Sequence, residues 1–185
     1  MCAERHSLKE QTIITKIRLT EPDDIAFLPD IASSAGELFR NLPEFAWVAD
    51  DDDMSPETHM KYVIGGTSWV AEAEQPIVGF LCAELAMRDL HVWEMAVRRE
   101  WQGKGIGRQL MNAAIDYAYH NRLKSVTLTT FRVVPWNEPF YRSLRFEVVA
   151  AENMDLRLTG ILHNEIQHGF PGHLRCAMRL WISAS

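Results

Sequence analysis

Gln102-Gly103-Lys104-Gly105-Ile106-Gly107 sets a glycine at every second position between an apolar run, residues 91–97, and a helical pattern, residues 108–121. Alternate glycines strip side chains from the backbone where a strand hands over to a helix. The N–H groups of such a turn can point together at an anion, and the helix dipole assists them. The chain is therefore constrained early: a strand, a tight anion-binding turn and an amphipathic helix must follow one another at residues 91–121.

Spacing separates the known phosphate loops. The P-loop string G-x-x-x-x-G-K-[ST] is absent, and a dinucleotide fingerprint counted from Gly103 would need its last glycine where Arg108 stands. The pattern present is Q-x-x-G-x-G after a strand ending Ala96-Val97. It resembles the acetyl-CoA signature of the GCN5-related N-acetyltransferases (GNAT). The resemblance implies that the amides of Gln102, Gly103, Lys104, Gly105, Ile106, Gly107 and Arg108 hold the CoA pyrophosphate. It also implies that the backbone of Met95, Ala96 and Val97 pairs with pantetheine and stabilises the thioester oxygen.

The rest of the chain tests that reading. Residues 12–19 are β-branched and predict a strand. Thr20 reads as an N-cap with Pro22 in the first turn, and Ile25, Leu28, Ile31, Ala35 and Leu38 keep helical spacing. Residues 41–53 read as a loop. Ser55-Pro56 starts a second helix that stops at Gly65-Gly66. Strands follow at 67–73, 77–85 and 91–97. The helix after the glycine turn buries Ile106, Leu110, Ala113, Ala114 and Tyr117, with Asn121 as a left-handed cap. A strand at 125–130, a short helix at 137–144 and a strand at 146–150 come next. A helix at 155–168 carries Leu158, Ile161, Leu162 and Ile166 on one face, and a strand at 174–182 ends the pattern.

The resulting order, β-α-α-β-β-β-α-β-α-β-(α)-β, is that of the same family. It implies an α/β (α+β) GNAT fold, a mixed sheet of about seven strands flanked by helices, with the 155–168 helix as an insertion. Residues 12–185 are expected to form one domain, and residues 1–11 a flexible lead-in. A second match supports the first. Tyr141 precedes Arg145-Phe146 where the family carries tyrosine and then Gly-Phe, so Arg145 stands in for the glycine. The family's upstream asparagine falls on Val134; Asn137, four residues before Tyr141, is the nearest asparagine for a CoA contact.

Acetyl transfer to an amine needs a neutral nucleophile. A lysine-like amine of pKa ~10.4 is free base in roughly one molecule of a few thousand at pH 7, so a positioned base or water chain must remove a proton. The thioester oxygen needs a hydrogen-bond donor and the thiolate needs a proton. Tyr141 is the expected general acid. His91 and Glu94 are the candidate bases, His91 slightly favoured because an unperturbed imidazole, pKa ~6.5, suits the task. Simple alternation sends the two to opposite sheet faces unless a bulge intervenes. For the acceptor, the 41–53 loop offers Glu44, Phe45 and Trp47 beside Asp50 to Asp53, an aromatic and acidic set suited to an alkylammonium.

Composition narrows the partners. A net charge of −6 argues against nucleic acid. No apolar run approaches membrane-spanning length. Three separated cysteines without C-x-x-C suit a reducing cytoplasm rather than a disulfide framework. His163, His168 and His173 at five-residue spacing do not share a helix face and read as surface residues, and no metal site is expected. The resemblance also suggests a homodimer. Two readings stay open beside the acetyltransferase: a non-catalytic acyl-CoA sensor on the same fold, and an enzyme using another acyl-CoA.

Overall fold

The computed structural model describes residues 15–50, 54–74 and 76–182. The expected lead-in at 1–11, the first residues of the predicted opening strand and Asp51 to Asp53 lie outside them. The elements are β1 (Thr15–Leu19), α1 (Leu28–Gly36), α2 (Pro56–Ile64), β2 (Ser68–Ala73), β3 (Ile77–Ala86), β4 (Asp89–Val97), α3 (Ile106–His120), β5 (Ser125–Phe131), α4 (Glu138–Ser143), β6 (Glu147–Val148), α5 (Leu156–Gln167) and β7 (Arg175–Trp181). The element order matches the sequence reading throughout.

The seven strands form one mixed sheet in the order β1-β2-β3-β4-β5-β7-β6. Neighbours are antiparallel except β4 and β5, which run parallel from Asp89↔Ser125 to Val92↔Leu128 and no further. Beyond that point the ladder between them ends. One sheet face is covered by α3, whose Ile106, Leu110, Met111, Ala114 and Ala118 pack on Leu81, Leu90, Val92, Val126 and Leu128. On the other face Leu28 and Ile31 of α1 meet Val70, Phe80 and Ala96, and Leu158 of α5 meets Ala177.

Several local expectations needed correction. Thr20 is not the cap: Glu21 is, and Thr20 Oγ1 hydrogen-bonds Ser68 Oγ at 2.7 Å, tying the chain to β2. The first helical region is divided into a 3-10 helix (Pro22–Phe27), α1 and a second 3-10 helix (Glu37–Asn41). The predicted loop contains a third 3-10 helix, Pro43–Asp50. Its apolar residues, Phe45 above all, bury against β5 and fix turns that propensity alone leaves open. Asn121 has φ −88°, and its side chain donates to Tyr117 O; Arg122, at φ +55°, takes the left-handed position. Ile166 is 47% exposed rather than inward. Ser55 is the N-cap of α2, as read, accepting from Thr58 N–H. Among the described residues no helix is long and apolar enough to cross a membrane.

Gly79 positions the site from behind. It pairs with Val97 at the end of β4, and a Cβ there would lie 2.9 Å from Ala96 O and 3.4 Å from Leu110 Cδ1. The close approach of β3, β4 and α3 leaves no room for a methyl group. Gly79→Ala should destabilise the fold by about 1–3 kcal/mol, read as a lower midpoint in urea unfolding; an unchanged midpoint would show that strand and helix yield freely.

Candidate active site

A cavity of about 1060 Å³ opens where β4 and β5 part. Its wall includes Trp93 to Val97 on one strand and Thr129 to Phe131 on the other. Arg98 N–H donates to Val78 O on β3. Backbone direction alternates along a strand, so Met95 and Val97 turn their N–H groups away from β3, toward the open side. The side chain of Gln102 reaches back and donates to Val97 O at 3.0 Å. Gln102 thus holds the strand end and shapes the turn that follows.

The glycine turn closes one end of the cavity. Gly103 and Gly105 have φ +73° and +80°, and Gly105 is the N-cap of α3. A Cβ on either would meet nothing within 4 Å, so these residues are glycine for the backbone conformation and for the bare approach it leaves. Gly107 faces Met95 and Phe140 across the cavity floor. Gln102, Gly103, Gly105, Ile106, Gly107 and Arg108 all line the cavity. The Lys104 ammonium lies 4.6 Å from the centre of the Trp101 ring. Arg108 donates to Ser143 Oγ at 2.7 Å, joining the start of α3 to the end of α4. Exposed amides at the N-terminus of a 15-residue helix, beside an arginine, are the kind of group that can donate to an anion such as phosphate.

The structure brings Glu94, Tyr141 and Asn137 to this cavity and leaves His91 outside it. The cause is a bulge in β4. Cys82 pairs with Glu94 and Ala83 with Val92, so Trp93 is the extra residue. The bulge puts His91 and Glu94 on the same sheet face, against simple alternation. They still serve different places. His91 is 1% exposed beneath α5, with Nδ1 2.9 Å from Thr127 Oγ1 and its ring edge-on to Trp93. Burial, aided by the Arg157 guanidinium, lowers its pKa to about 3. A ring that weakly basic, buried away from the cavity, is poorly placed to deprotonate an amine. The favoured assignment of His91 as base is not supported by this geometry.

Tyr141 lies on α4 across the cavity from β4. Burial raises its phenol to about 12, against an opposing effect of Arg175. It therefore keeps its proton at neutral pH. Asn137 is the N-cap of α4. Arg145 sits at φ +69°, the left-handed conformation that favours glycine.

The expected acceptor residues need correction. Phe45 is 3% exposed and packs edge-on to Phe131, their centres 4.9 Å apart. Trp47 packs against Phe131 and Phe170 and donates to Glu44 O. Glu44 is exposed, and none of the three lines the cavity. Asp50 is bound by Arg40 at 2.7 Å. Phe45 and Trp47 back the wall rather than form it, because the 3-10 helix turns them toward β5. The wall itself carries Phe39, Val48, Met54, Thr129, Trp136, Glu165, His168, Phe170 and Arg175, which the sequence reading missed. His168, read as a surface residue, is exposed but sits at the cavity edge. One signal was available: Glu165 lies seven residues after Leu158, a carboxylate on the apolar stripe of α5. Glu165 holds Arg175 through two hydrogen bonds, 2.7 and 2.9 Å, and Arg175 also donates to Thr129 Oγ1. Among the described residues no group of three metal-ligating side chains exists.

Comparison with known proteins agrees with this geometry. Residues 65–148 match the model of the acetyltransferase (GNAT) domain. The N-acetylaspartate synthetase of Danio rerio is 30% identical over 108 residues, 57% of this chain and 38% of that protein, so the chain spans well under half of that relative. The PaiA N-acetyltransferase of Thermoplasma acidophilum, solved with coenzyme A, superposes with a TM-score of 0.68 at 15% identity, covering 91% of this chain and 99% of that one. The N-acetylglutamate synthase of Neisseria gonorrhoeae, solved with coenzyme A and N-acetylglutamate, gives 0.65 at 15% identity over 92% of this chain and 36% of that one. At these identities the solved structures establish a shared fold.

Two outcomes are expected. Gly105→Val places a β-branched residue at φ +80° and a side chain in the glycine turn, so titration calorimetry should show CoA affinity reduced at least ~100-fold (about 3 kcal/mol). Near-native affinity would move the phosphate site elsewhere. The second concerns His91. Its folded pKa lies below the ordinary histidine value, so the unfolded chain binds the extra proton. The stability it contributes is complete above about pH 6.5 and is lost as pH falls toward about 3. His91→Gln should flatten the decline of melting temperature across that window; an unchanged slope would place the acid sensitivity in other groups.

Proposed function

We propose that the chain is an acetyltransferase of the GNAT superfamily and that it moves an acetyl group from acetyl-CoA to a primary amine by direct transfer in a ternary complex, a reading supported by the domain match at residues 65–148 and by the shared fold. One observation carries the proposal. A single cavity runs from the glycine turn, along the open edge of β4, to Glu94 and Tyr141. Its volume of about 1060 Å³ is at the upper end of the usual range for one small ligand, ~300–1,000 Å³, as two co-bound substrates require.

Each residue then has a task. The amides of residues 102–108 would hold the pyrophosphate, with Arg108 adding charge. Met95 and Val97 present N–H groups to the acyl and pantetheine portion, which supplies the activated acetyl group. Glu94 is the base, directly or through water, and takes the first proton from the ammonium. As the C–N bond forms and the C–S bond breaks, Tyr141 gives its proton to sulfur. The second amine proton restores the phenol. Asn137 lines the cavity and Arg145 adopts the backbone of the glycine it replaces. Neither departure from the family pattern removes a working part, which favours an enzyme over a sensor.

The names of two relatives specify N-acetylated amino acids, N-acetylaspartate and N-acetylglutamate, as what they make. Only the coarser class, an amine, is carried to this chain. Cytoplasmic placement, which the buried free thiols of Cys82 and Cys176 suit, a homodimer and a single domain at 12–185 belong to the same proposal.

With saturating acetyl-CoA, Glu94→Gln should lower kcat ~10²–10⁴-fold, the usual worth of general base catalysis, while acetyl-CoA affinity holds. Tyr141→Phe should lower kcat by about 10-fold or more and leave the amine KM nearly unchanged. Wild-type chain that binds no acetyl-CoA in calorimetry would overturn the proposal. A large kcat loss in His91→Gln, with Glu94→Gln active, would reverse the choice of base.

A further inference from the structure

We infer that His91, Arg157 and Arg179 form a binding site for one small monovalent anion of about chloride size, between the N-terminal turn of α5 and the sheet. The strand register assembles it. His91 pairs with Thr127 across β4 and β5, and Thr127 pairs with Arg179 across β5 and β7, so the three side chains stand abreast on one sheet face. Neighbouring strands are ~4.8 Å apart, which keeps the row within reach of one small ligand. Arg157, in the first turn of α5, reaches down to the middle of the row and donates from Nη2 to Thr127 Oγ1 at 3.2 Å. His91 and Thr127 are fully buried there. His91, Thr127, Arg157 and Arg179 are all outside the lining of the large cavity, so the cluster is separate from the site described above.

Hydrogen-bond accounting specifies the ligand. Thr127 Oγ1 accepts from Arg157, which can only donate, so the hydroxyl proton goes to its other partner, His91 Nδ1, 2.9 Å away. The proton of the neutral ring then sits on Nε2. Three N–H donors remain: His91 Nε2, Arg157 Nη1 and Arg179 Nε. Each is buried and has no acceptor among the described residues, and donors left in that state are costly. The nearby carboxylates hold other atoms. Asp155 accepts from Leu158 N–H and from Arg179 Nη2. Asp89 accepts from Ser125 Oγ and lies 3.6 Å from Arg157 Nη2. These two charges balance the two arginines, so a divalent anion would meet no net positive charge. A single charge is matched by the three donors and by the N-terminal amides of α5. A water molecule would bring two protons needing acceptors of their own. An anion accepts from all three donors and adds none.

The test compares sodium bromide with sodium gluconate at matched ionic strength, using the full chain. The melting temperature should rise saturably with bromide, by roughly 3–6 °C at about ten times the half-saturating concentration. A crystal grown in bromide should show an anomalous peak within hydrogen-bond reach of His91 Nε2, Arg157 Nη1 and Arg179 Nε. Arg157→Lys keeps the charge and removes Nη1, and should weaken bromide binding at least ~10-fold, the worth of one hydrogen bond to a charged group. Arg179→Lys, which removes Nε, should do the same and serves if the first variant does not fold. An anomalous peak with a matching melting shift, lost in either variant, supports the site. No peak in the cluster, a peak without a melting shift, or a shift that survives both substitutions overturns it. The acetyl-transfer reading stands or falls independently of this result.

Discussion

The parting of β4 and β5 after Val92 and Leu128 is the constraint on which the rest of the structure depends. A parallel ladder that stops in mid-strand leaves backbone N–H and C=O groups without partners. Buried, each would cost on the order of 1–3 kcal/mol. The fold meets that cost in three ways. Gln102 supplies a side-chain partner to Val97 O. Water can reach the remainder, because the gap is a cavity of about 1060 Å³ rather than a sealed void. A ligand with its own amides can replace that water. The site is thus less an addition to the sheet than the place where the sheet is left incomplete.

Elements on both sides keep the gap open. On one side α4 packs Phe140 and Tyr141 against the α3 core. On the other, α5 is braced to β7 by the Glu165–Arg175 and Asp155–Arg179 pairs. A nearly buried ion pair is weak evidence of net stabilisation, since desolvation offsets much of the attraction. Its geometric effect is clearer. Arg175 is held by Glu165 and Thr129 and stands over two aromatic rings, so α5, β5 and β7 cannot shift independently. The two ends of the cavity then differ in kind. Helix amides and Arg108 suit anions at one end, and aromatic side chains with the Glu165–Arg175 pair line the other.

What the sequence made legible follows from range. The glycine turn, the α3 stripe and the order of strands and helices along the chain are local patterns, and they appear close to where periodicity puts them. The aromatic wall of the cavity is not local. Phe39, Trp136, Phe170 and Arg175 come from four separate segments and meet only through the sheet order. Phe45 and Trp47 misled because aromatic residues beside carboxylates look alike whether they face a ligand or a core. The turn direction of the 3-10 helix at Pro43–Asp50 decided that, and no capping signal announced it. Arg145 shows the reverse case: an arginine where left-handed backbone is required still adopts it, at about 1–2 kcal/mol. A motif with its glycine missing can therefore keep its geometry.

The candidate base turned on a single residue. Strand parity separates His91 from Glu94, and the extra residue Trp93 removes that separation. Parity then no longer chooses between them; depth does. Val92 is the last residue of β4 paired with β5, and His91 precedes it, so its ring is enclosed beneath α5. Glu94 follows it, where the strand edge is open. The bulge and the end of the parallel ladder fall within one residue of each other, and a bulge is a natural way to end regular pairing and re-aim a side chain. On this argument the same irregularity that opens the sheet also aims a carboxylate into the opening, so in the proposed mechanism the binding of one substrate and the deprotonation of the other would share a structural cause.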